Sequence, residues 1–337
     1  MRALWTHNFD PSIPNNLVFV ETTAQAVSAH GVKVEVEYLG NLRSVSRLLK
    51  ARRQVRKMAD GFDIVHAQFG SACALATAGV EGKPKVLTIR GSDWSVHSSS
   101  IGYEYFHARV STLFTKTAIA TYEGVISVSR RVVEELRRAA PRAHMMVLPS
   151  PVDVKRFVPR DRKEAKALLG YPDCAEKWVL FNSLDLANPV KRFPLAKRAF
   201  EIAQSKMGNL RLRVATDLPH ESMPLFVAAC DVILCTSENE GWPNCVKEAL
   251  SCGVPFVATD VSDLRDIAVQ ESVCRVCPPD PAVIAENICD VLQTPIQATL
   301  RRYAETMSQE AIGKSIVSMY ETLCTQFNAD GRVGARS

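Results

Sequence analysis

Apolar residues in this chain fall into short continuous runs, and these alternate with segments whose apolar positions recur every three or four residues. Continuous runs bounded by turn residues read as buried strands. The three-to-four spacing reads as helices with one covered face. The clearest unit is an apolar run at 231–235, a polar loop, a helical stretch, and a second apolar run at 254–259. Pro243 is expected at the first helical position and Gly253 just past the helix end. Strand, helix and strand joined in this way make a crossover, so the two strands are predicted to be parallel. At about 100° per residue, Val246, Ala249 and Leu250 share an arc that faces the sheet. Asn244, Lys247, Glu248 and Ser251 fall on the opposite side.

The alternation runs the length of the chain. Further strands are expected at 2–6, 32–38, 63–70, 85–93, 124–129, 178–184 and 211–215. Helices are expected at 17–29, 43–59 and 130–139, near 191, and amphipathically over 296–326, with 328–337 frayed. Ser129 is placed to cap the helix at 130–139. Strands that alternate with helices predict an α/β fold with parallel sheets. The prolines at 149, 151 and 159 stiffen a connector, which places a hinge there.

Composition narrows the class. A chain of 337 residues can bury two full cores, and 47% apolar with 23% charged residues excludes a disordered chain. Residues 1–150 carry 19 Lys and Arg against 12 Asp and Glu, whereas the remainder carries 22 against 24. The basic first half suits an anionic partner or surface. No basic segment interleaved with aromatics appears, so nucleic acid is not expected. The ten cysteines are scattered, many within apolar runs, as free thiols of a reducing compartment are. Cys274 and Cys277 form a Cys-x-x-Cys without a second pair, which fits buried cysteines better than a zinc or redox site. The N-terminus has no apolar core followed by a cleavage site, and no run reaches the roughly 20 apolar residues of a membrane span. The expected location is cytoplasmic, peripheral on the membrane inner face.

Segment 43–59 carries Arg43, Arg47, Lys50, Arg52, Arg53, Arg56 and Lys57, with Leu42, Val45, Leu48, Leu49, Val55 and Met58 as a candidate buried face. Two readings stay open: an ordinary solvated helix, or a basic amphipathic helix on an anionic membrane surface. Asp260, Asp263 and Asp266 invite a metal reading, but capping and surface roles explain them better.

The chemistry is concentrated in residues 237–255, which spell Ser-x-x-Glu-Gly-x-Pro-Asn-x-x-x-Glu-Ala-x-x-x-Gly-x-Pro. On spacing alone, Glu240 is a loop acid and Glu248 a solvated helix acid. Loops that leave the strands of open α/β sheets, however, are where ligands sit. Amides near Gly241 and Trp242, at a helix N-terminus, are a natural seat for phosphate. The whole string, with Val257-Ala258-Thr259-Asp260-Val261 downstream, resembles the donor-site signature of family-4 retaining glycosyltransferases (glycosyl transferases group 1).

The resemblance implies a GT-B architecture: two Rossmann-like domains, a deep interdomain cleft, and a C-terminal helix that crosses back to the first domain. The acceptor-binding domain would span 1–150 and the nucleotide-sugar domain 151–300. The returning helix would span 301–326 and a tail 327–337. The implied activity is metal-independent, retaining transfer of a hexose from a nucleotide-sugar donor to a glycan or lipid-linked acceptor, in surface polysaccharide or glycolipid assembly. The nucleotide sugar is a substrate, and no cofactor is implied. In this picture Glu240, Lys191 and Asp93 are catalytic. The donor is held by Lys191, Arg192, Glu240, Gly241, Trp242, Pro243, Asn244 and Glu248. The acceptor side is formed by Asn16, His66, Arg90 and Ser129.

Three departures from the family pattern stand out. Relatives usually carry an Arg at the end of the 178–184 strand, where this chain has Asn182 or Ser183. Many carry a His where Arg90 stands. The first loop, often glycine-rich, here holds Asn15 and Asn16. A lone His66 also reads as a packing residue, and Lys191 with Arg192 as a surface pair. A sugar-nucleotide epimerase or hydrolase on the same fold, and a degenerate sugar-nucleotide-binding subunit, remain alternatives.

Overall fold

In the computed structural model, all residues are described except 14–15, 96–102, 173–174, 184, 217, 296–299 and 335–337. Asn15 and the start of the segment expected from 296 therefore lie outside the described residues. The chain forms two compact units, residues 1–151 with 309–337, and residues 152–308.

The first unit runs β1 (Arg2–His7), α1 (Val18–Ser28), β2 (Lys33–Tyr38), α2 (Val45–Ala59), β3 (Ile64–Ala67), α3 (Ser71–Thr77), β4 (Lys85–Ile89), α4 (Tyr103–Ala118), β5 (Gly124–Ser127), α5 (Val133–Ala139) and β6 (His144–Val147). Its six strands pair in the order β2-β1-β3-β4-β5-β6, all parallel. Alternate residues of each central strand go to opposite faces. Leu4, Val65, Leu87 and Val125 pack with α2, α3 and α5, whereas Trp5, Ile64, Val86 and Ile126 pack against α1 and the C-terminal helix α13 (Gln309–Gly334). Gly313 lets α13 lie directly on α1, since a Cβ there would stand 2.3 Å from the Ala26 carbonyl oxygen.

The second unit runs α6 (Arg162–Leu168), β7 (Lys177–Asn182), α7 (Phe193–Met207), β8 (Leu210–Ala215), α8 (Met223–Ala228), β9 (Val232–Cys235), α9 (Asn244–Ser251), β10 (Phe256–Thr259), α10 (Leu264–Gln270), β11 (Arg275–Cys277), α11 (Pro281–Gln293) and α12 (Arg301–Glu305). Its parallel sheet has the order β11-β10-β9-β7-β8. Val179, Phe181, Val232, Leu234 and Val257 face α7 and α11, while Trp178, Leu180, Ile233, Phe256 and Ala258 face α8 and α9.

The amphipathic segment expected over 296–326 is two helices, not one. The chain leaves the second unit between α12 and α13, and Val152, where it enters that unit, bridges Ser308 and donates its N–H to the Met307 carbonyl at 2.9 Å. Strands β6 and β11 were not expected, because they are short and β6 is half exposed. The helix expected at 130–139 starts at Val133, with Val132 at its cap and no side-chain cap bond. Ser129 therefore does not cap it. Pro243 is the N-cap of α9, one residue before the expected position.

Candidate active site

In the second unit, two loops at the carboxyl ends of β7 and β9 carry the polar residues the sequence singled out. Lys191 ends the loop before α7, and Glu240 lies in the loop between β9 and α9. Lys191 Nζ donates to Glu240 Oε1 at 2.5 Å, and Ser237 Oγ donates to the same oxygen at 2.8 Å. Both protein bonds fall on Oε1, so the carboxylate is oriented while Oε2 takes no protein hydrogen bond among the described residues. Burial is the largest single influence on Lys191 and opposes its charge, but the Glu240 carboxylate together with Cys245 and Cys235 outweighs it, and the ammonium pKa is raised. Lys191 is thus a cation through the neutral range.

Arg192 holds this arrangement in place. It sits at φ 53°, the left-handed region unusual for a side chain with a Cβ. From there its Nε donates to the Thr236 carbonyl and its Nη2 to the Ser237 carbonyl, both at 2.7 Å. Thr236 Oγ1 donates back to the Lys191 carbonyl at 2.9 Å, and Glu238 N–H reaches the Val190 carbonyl at 2.8 Å. The two loops are stitched together before any ligand arrives. Arg192 was expected to touch the donor; two of its donors are instead spent on backbone carbonyls. Its geometry is that of a residue that positions Lys191 and Glu240.

Gly241, Trp242, Pro243 and Asn244 follow as the approach to α9. Neither the Gly241 nor the Trp242 N–H donates to a backbone carbonyl among the described residues. The Gly241 carbonyl accepts from Ser262 Oγ at 2.7 Å, which fixes this turn. Trp242 packs partly buried against the core, Pro243 is buried, and Asn244 is exposed.

On α9, Glu248 is half-buried. Burial pushes its carboxyl up to about 7, an effect partly offset by Lys247 and Arg156. Lys247 and Ser251, expected on the outward side, are both buried. A second layer covers Ser251: its Oγ donates to the Phe157 carbonyl at 2.6 Å, and the Arg301 guanidinium of α12 binds the carbonyls of Phe157, Ser251 and Val154. At the expected pyrophosphate-Arg position, Asn182 ends β7, and Ser183 is buried with its hydroxyl on the Asp185 carbonyl.

The first unit treats its polar residues differently. His66 is 1% exposed. Its Nδ1 meets the Tyr320 hydroxyl of α13 at 2.5 Å and its Nε2 the Thr88 hydroxyl at 2.7 Å; Trp5 Nε1 donates to the same Tyr320 oxygen. Burial, with Arg90 nearby, drives its pKa down to about 3, so the ring is neutral. His66 is a core residue that anchors α13, not a group presented to an acceptor. Asp93 was expected to be catalytic, but it is fully buried. Its carboxylate accepts the N–H groups of Gly70, Arg90 and Gly91 at 2.8–2.9 Å. Burial raises its pKa even against those bonds. This is a residue that shapes two loops, and no oxygen is held out to a reacting group.

Arg90 donates to the Gln68 carbonyl, the Gln68 side chain and the Ser150 hydroxyl, and its guanidinium lies 4.1 Å from the Phe19 ring centroid. Burial lowers its pKa to about 10, so it remains charged. Asn16 Nδ2 donates to the Asp10 carbonyl and organises its own loop. Ser129 is buried, and its carbonyl accepts from Ser127 Oγ.

Ser237 opens the motif in the sequence, but its bond to Glu240 is seen only in the structure, and Thr236 and Arg301 carry no sequence signal. The sequence reading overlooked His7 and Gln68, at the end of β1 and just after β3. His7 Nδ1 and Gln68 Nε2 are buried without a side-chain partner among the described residues. Among the described residues, no group of three or more His, Cys, Asp or Glu side chains is arranged to hold a metal ion. Asp260 pairs with Arg265 at 2.7 Å.

Comparison with known proteins gives the family and the fold. Residues 4–156 match the model of Glycosyltransferase Family 4, and residues 194–294 match that of Glycosyl transferases group 1. The glycosyltransferase TuaC of Bacillus subtilis, named for teichuronic acid biosynthesis, is 25% identical over 305 residues, covering 84% of this chain and 72% of TuaC. A D-inositol 3-phosphate glycosyltransferase of Geodermatophilus obscurus is 28% identical, covering 68% of this chain and 56% of its own length. Among solved structures, the sucrose-phosphate synthase of Thermosynechococcus elongatus superposes with a TM-score of 0.77 at 16% identity, over 97% of this chain and 100% of that one. Anabaena HepE in complex with UDP-glucose gives 0.66 at 15% identity, over 96% and 100%. At such identities the structural likeness shows the fold, and the matched family models supply the activity. The chain belongs to the family-4, group-1 glycosyltransferases and has the GT-B fold.

Proposed function

We propose that this glycosyltransferase moves a sugar, with retention and without a metal ion, from a nucleotide-sugar donor to a glycan or lipid-linked acceptor in surface polysaccharide or glycolipid assembly. One observation carries the reading: Lys191 and Ser237 fix Glu240 through a single oxygen, leaving the other without a protein hydrogen bond among the described residues, in the loop that runs on into Gly241 and Trp242. Glu240 Oε2 accepts a hydroxyl of the donor sugar and holds the anomeric carbon in a fixed pose. Lys191 and the two amides face the diphosphate and stabilise the charge that grows as the glycosidic bond breaks. Glu248, as a two-oxygen acceptor, grips the ribose. No side chain is assigned as a covalent nucleophile. The leaving phosphate takes up the acceptor proton on the face it departs from, which preserves the anomeric configuration.

The name of one relative, TuaC, supports a role in polysaccharide assembly, and α2 supports a membrane surface as partner. Val45 and Leu49 are exposed among the helix's arginines and lysines. Among the described residues no helix is long and apolar enough to cross a membrane. The described cysteines are all free thiols, which supports a cytoplasmic, peripheral location.

A second reading, binding without turnover, is favoured by one fact: two donors of Arg192 are committed to carbonyls, which leaves Lys191 as the principal cation for the diphosphate. A panel of UDP-, GDP- and dTDP-sugars, with and without acceptor, separates the two. The proposed function requires nucleoside diphosphate release that depends on acceptor, survives a chelator, and gives a product with the donor's anomeric configuration by NMR. Free epimer, acceptor-independent release, or binding with no release under any condition overturns it.

A further inference from the structure

The first unit contains an open cavity of about 550 Å³ between the start of α2, the outer side of α4 and the loop after β1. That is a volume suited to a ligand of some tens of atoms. Isolated exposed apolar residues are ordinary, but a cluster around one concavity is not. Ile13, Tyr38, Val45 and Phe106 are 55%, 38%, 74% and 66% exposed, and all four line this cavity. Inside, Leu42, Leu48, Val110 and Phe114 continue the apolar wall. Leu49 and Leu113 extend the apolar surface along the same two helices.

The lining carries one cation, Arg43; Arg47, Lys50 and Arg53 are exposed further along α2, outside the lining. Among the described residues these four form no ion pair, whereas Arg56 further along pairs with Glu81. The one acid of the lining, Asp10, has an oxygen taken by the N–H and hydroxyl of Ser12. An apolar concavity with an unpaired arginine in its lining is complementary to a hydrocarbon chain that ends in an anionic group.

We infer that the α2–α4 cavity receives the hydrocarbon chain of a phosphate-bearing lipid, with Arg43 on its phosphate. Only the further step, that this lipid is the sugar acceptor, rests on the proposed transfer reaction. The site differs from a flat membrane contact, because a chain enters the protein and a monomeric lipid suffices.

The test is direct binding by calorimetry to the full chain, with dodecyl phosphate below its micelle concentration and no donor present. Ethyl phosphate supplies the same head without the chain, and dodecyl maltoside the same chain without the charge. Dodecyl phosphate should bind one saturable site at least about tenfold more tightly than either control. V110W, which fills the cavity, should weaken it by about tenfold or more. V45E does so at an exposed rim position where folding is not at stake. R43E should weaken dodecyl phosphate and leave dodecyl maltoside unchanged. K191A, which probes the donor reading, should leave all three titrations as they are, so the two proposals fail separately. Equal binding of dodecyl and ethyl phosphate overturns the inference. So does insensitivity to both V110W and V45E, or binding seen only with phosphatidylglycerol vesicles and never with monomeric dodecyl phosphate.

Discussion

The two units share one architecture, a parallel sheet between helical layers, but they use the polar residues at their strand ends in opposite ways. In the second unit Lys191 and Glu240 remain partly exposed and bond mainly to each other. In the first unit Asp93 and His66 are buried, and every bond they make is to neighbouring protein. A polar residue at the carboxyl end of a strand is therefore not by itself a site. What decides is where its lone pairs and protons go. A carboxylate that accepts three backbone N–H groups is structural, and one with an oxygen to spare is available for chemistry.

This contrast can be broken by mutation, most strongly at Asp93. Asp93→Ala strands three buried N–H groups and should destabilise the protein by roughly 3–5 kcal/mol. Denaturant unfolding would show a lower midpoint, and any surviving folded fraction should still bind donor. A catalytic Asp93 would give the reverse, normal stability with lost turnover.

The next largest effect belongs to the second unit. Lys191→Ala and Glu240→Ala should each lower kcat/KM by roughly 1–3 kcal/mol of transition-state stabilisation. Their unfolding midpoints should stay close to wild type, since an exposed part of each side chain already meets water. Near-normal turnover in both would remove the contrast between the units.

The smallest effect sharpens the role of Glu248. Burial raises its folded pKa from 4.5 to about 7. Below about pH 4.5 the carboxyl is neutral folded and unfolded, and it costs nothing. Between there and pH 7 the unfolded chain ionises first, so stability falls as pH rises, and the deficit persists above pH 7. Glu248→Gln should remove that slope and stabilise by about 1 kcal/mol at pH 8, an amount reduced by partial exposure, with no gain at pH 4. Donor affinity in the wild type should weaken from pH 8 to pH 6 as the ribose acceptor protonates, and the variant should be flat. Thermal melts and calorimetry at the three pH values read both.

Much of this was legible in the chain. The β9–α9–β10 unit was visible because apolar runs, Pro243 and Gly253 act over a few residues, and periodicity is a local property. Ser237, Glu240 and Glu248 were marked by one continuous string. Arg192 was visible as a residue but not as a clamp, because the carbonyls it binds lie more than forty positions away. Val45 and Leu49, which look like core residues on a helical wheel, are exposed, because the covered arc of α2 is narrow and is filled by Ala51, Val55 and Ala59.

The sequence by itself determined the alternation of strands and helices, the parallel sheets and the loop that carries Glu240, since each follows from short-range spacing and turn chemistry. Only the tertiary structure decided which polar residues are spent and which are free. Ser251 is buried because α12 and the Phe157 segment cover that side of α9. His66 is sealed by Tyr320, 254 positions away. Burial from a distant element leaves no periodic trace at the residue it covers, and that residue's protonation and reactivity depend on that cover.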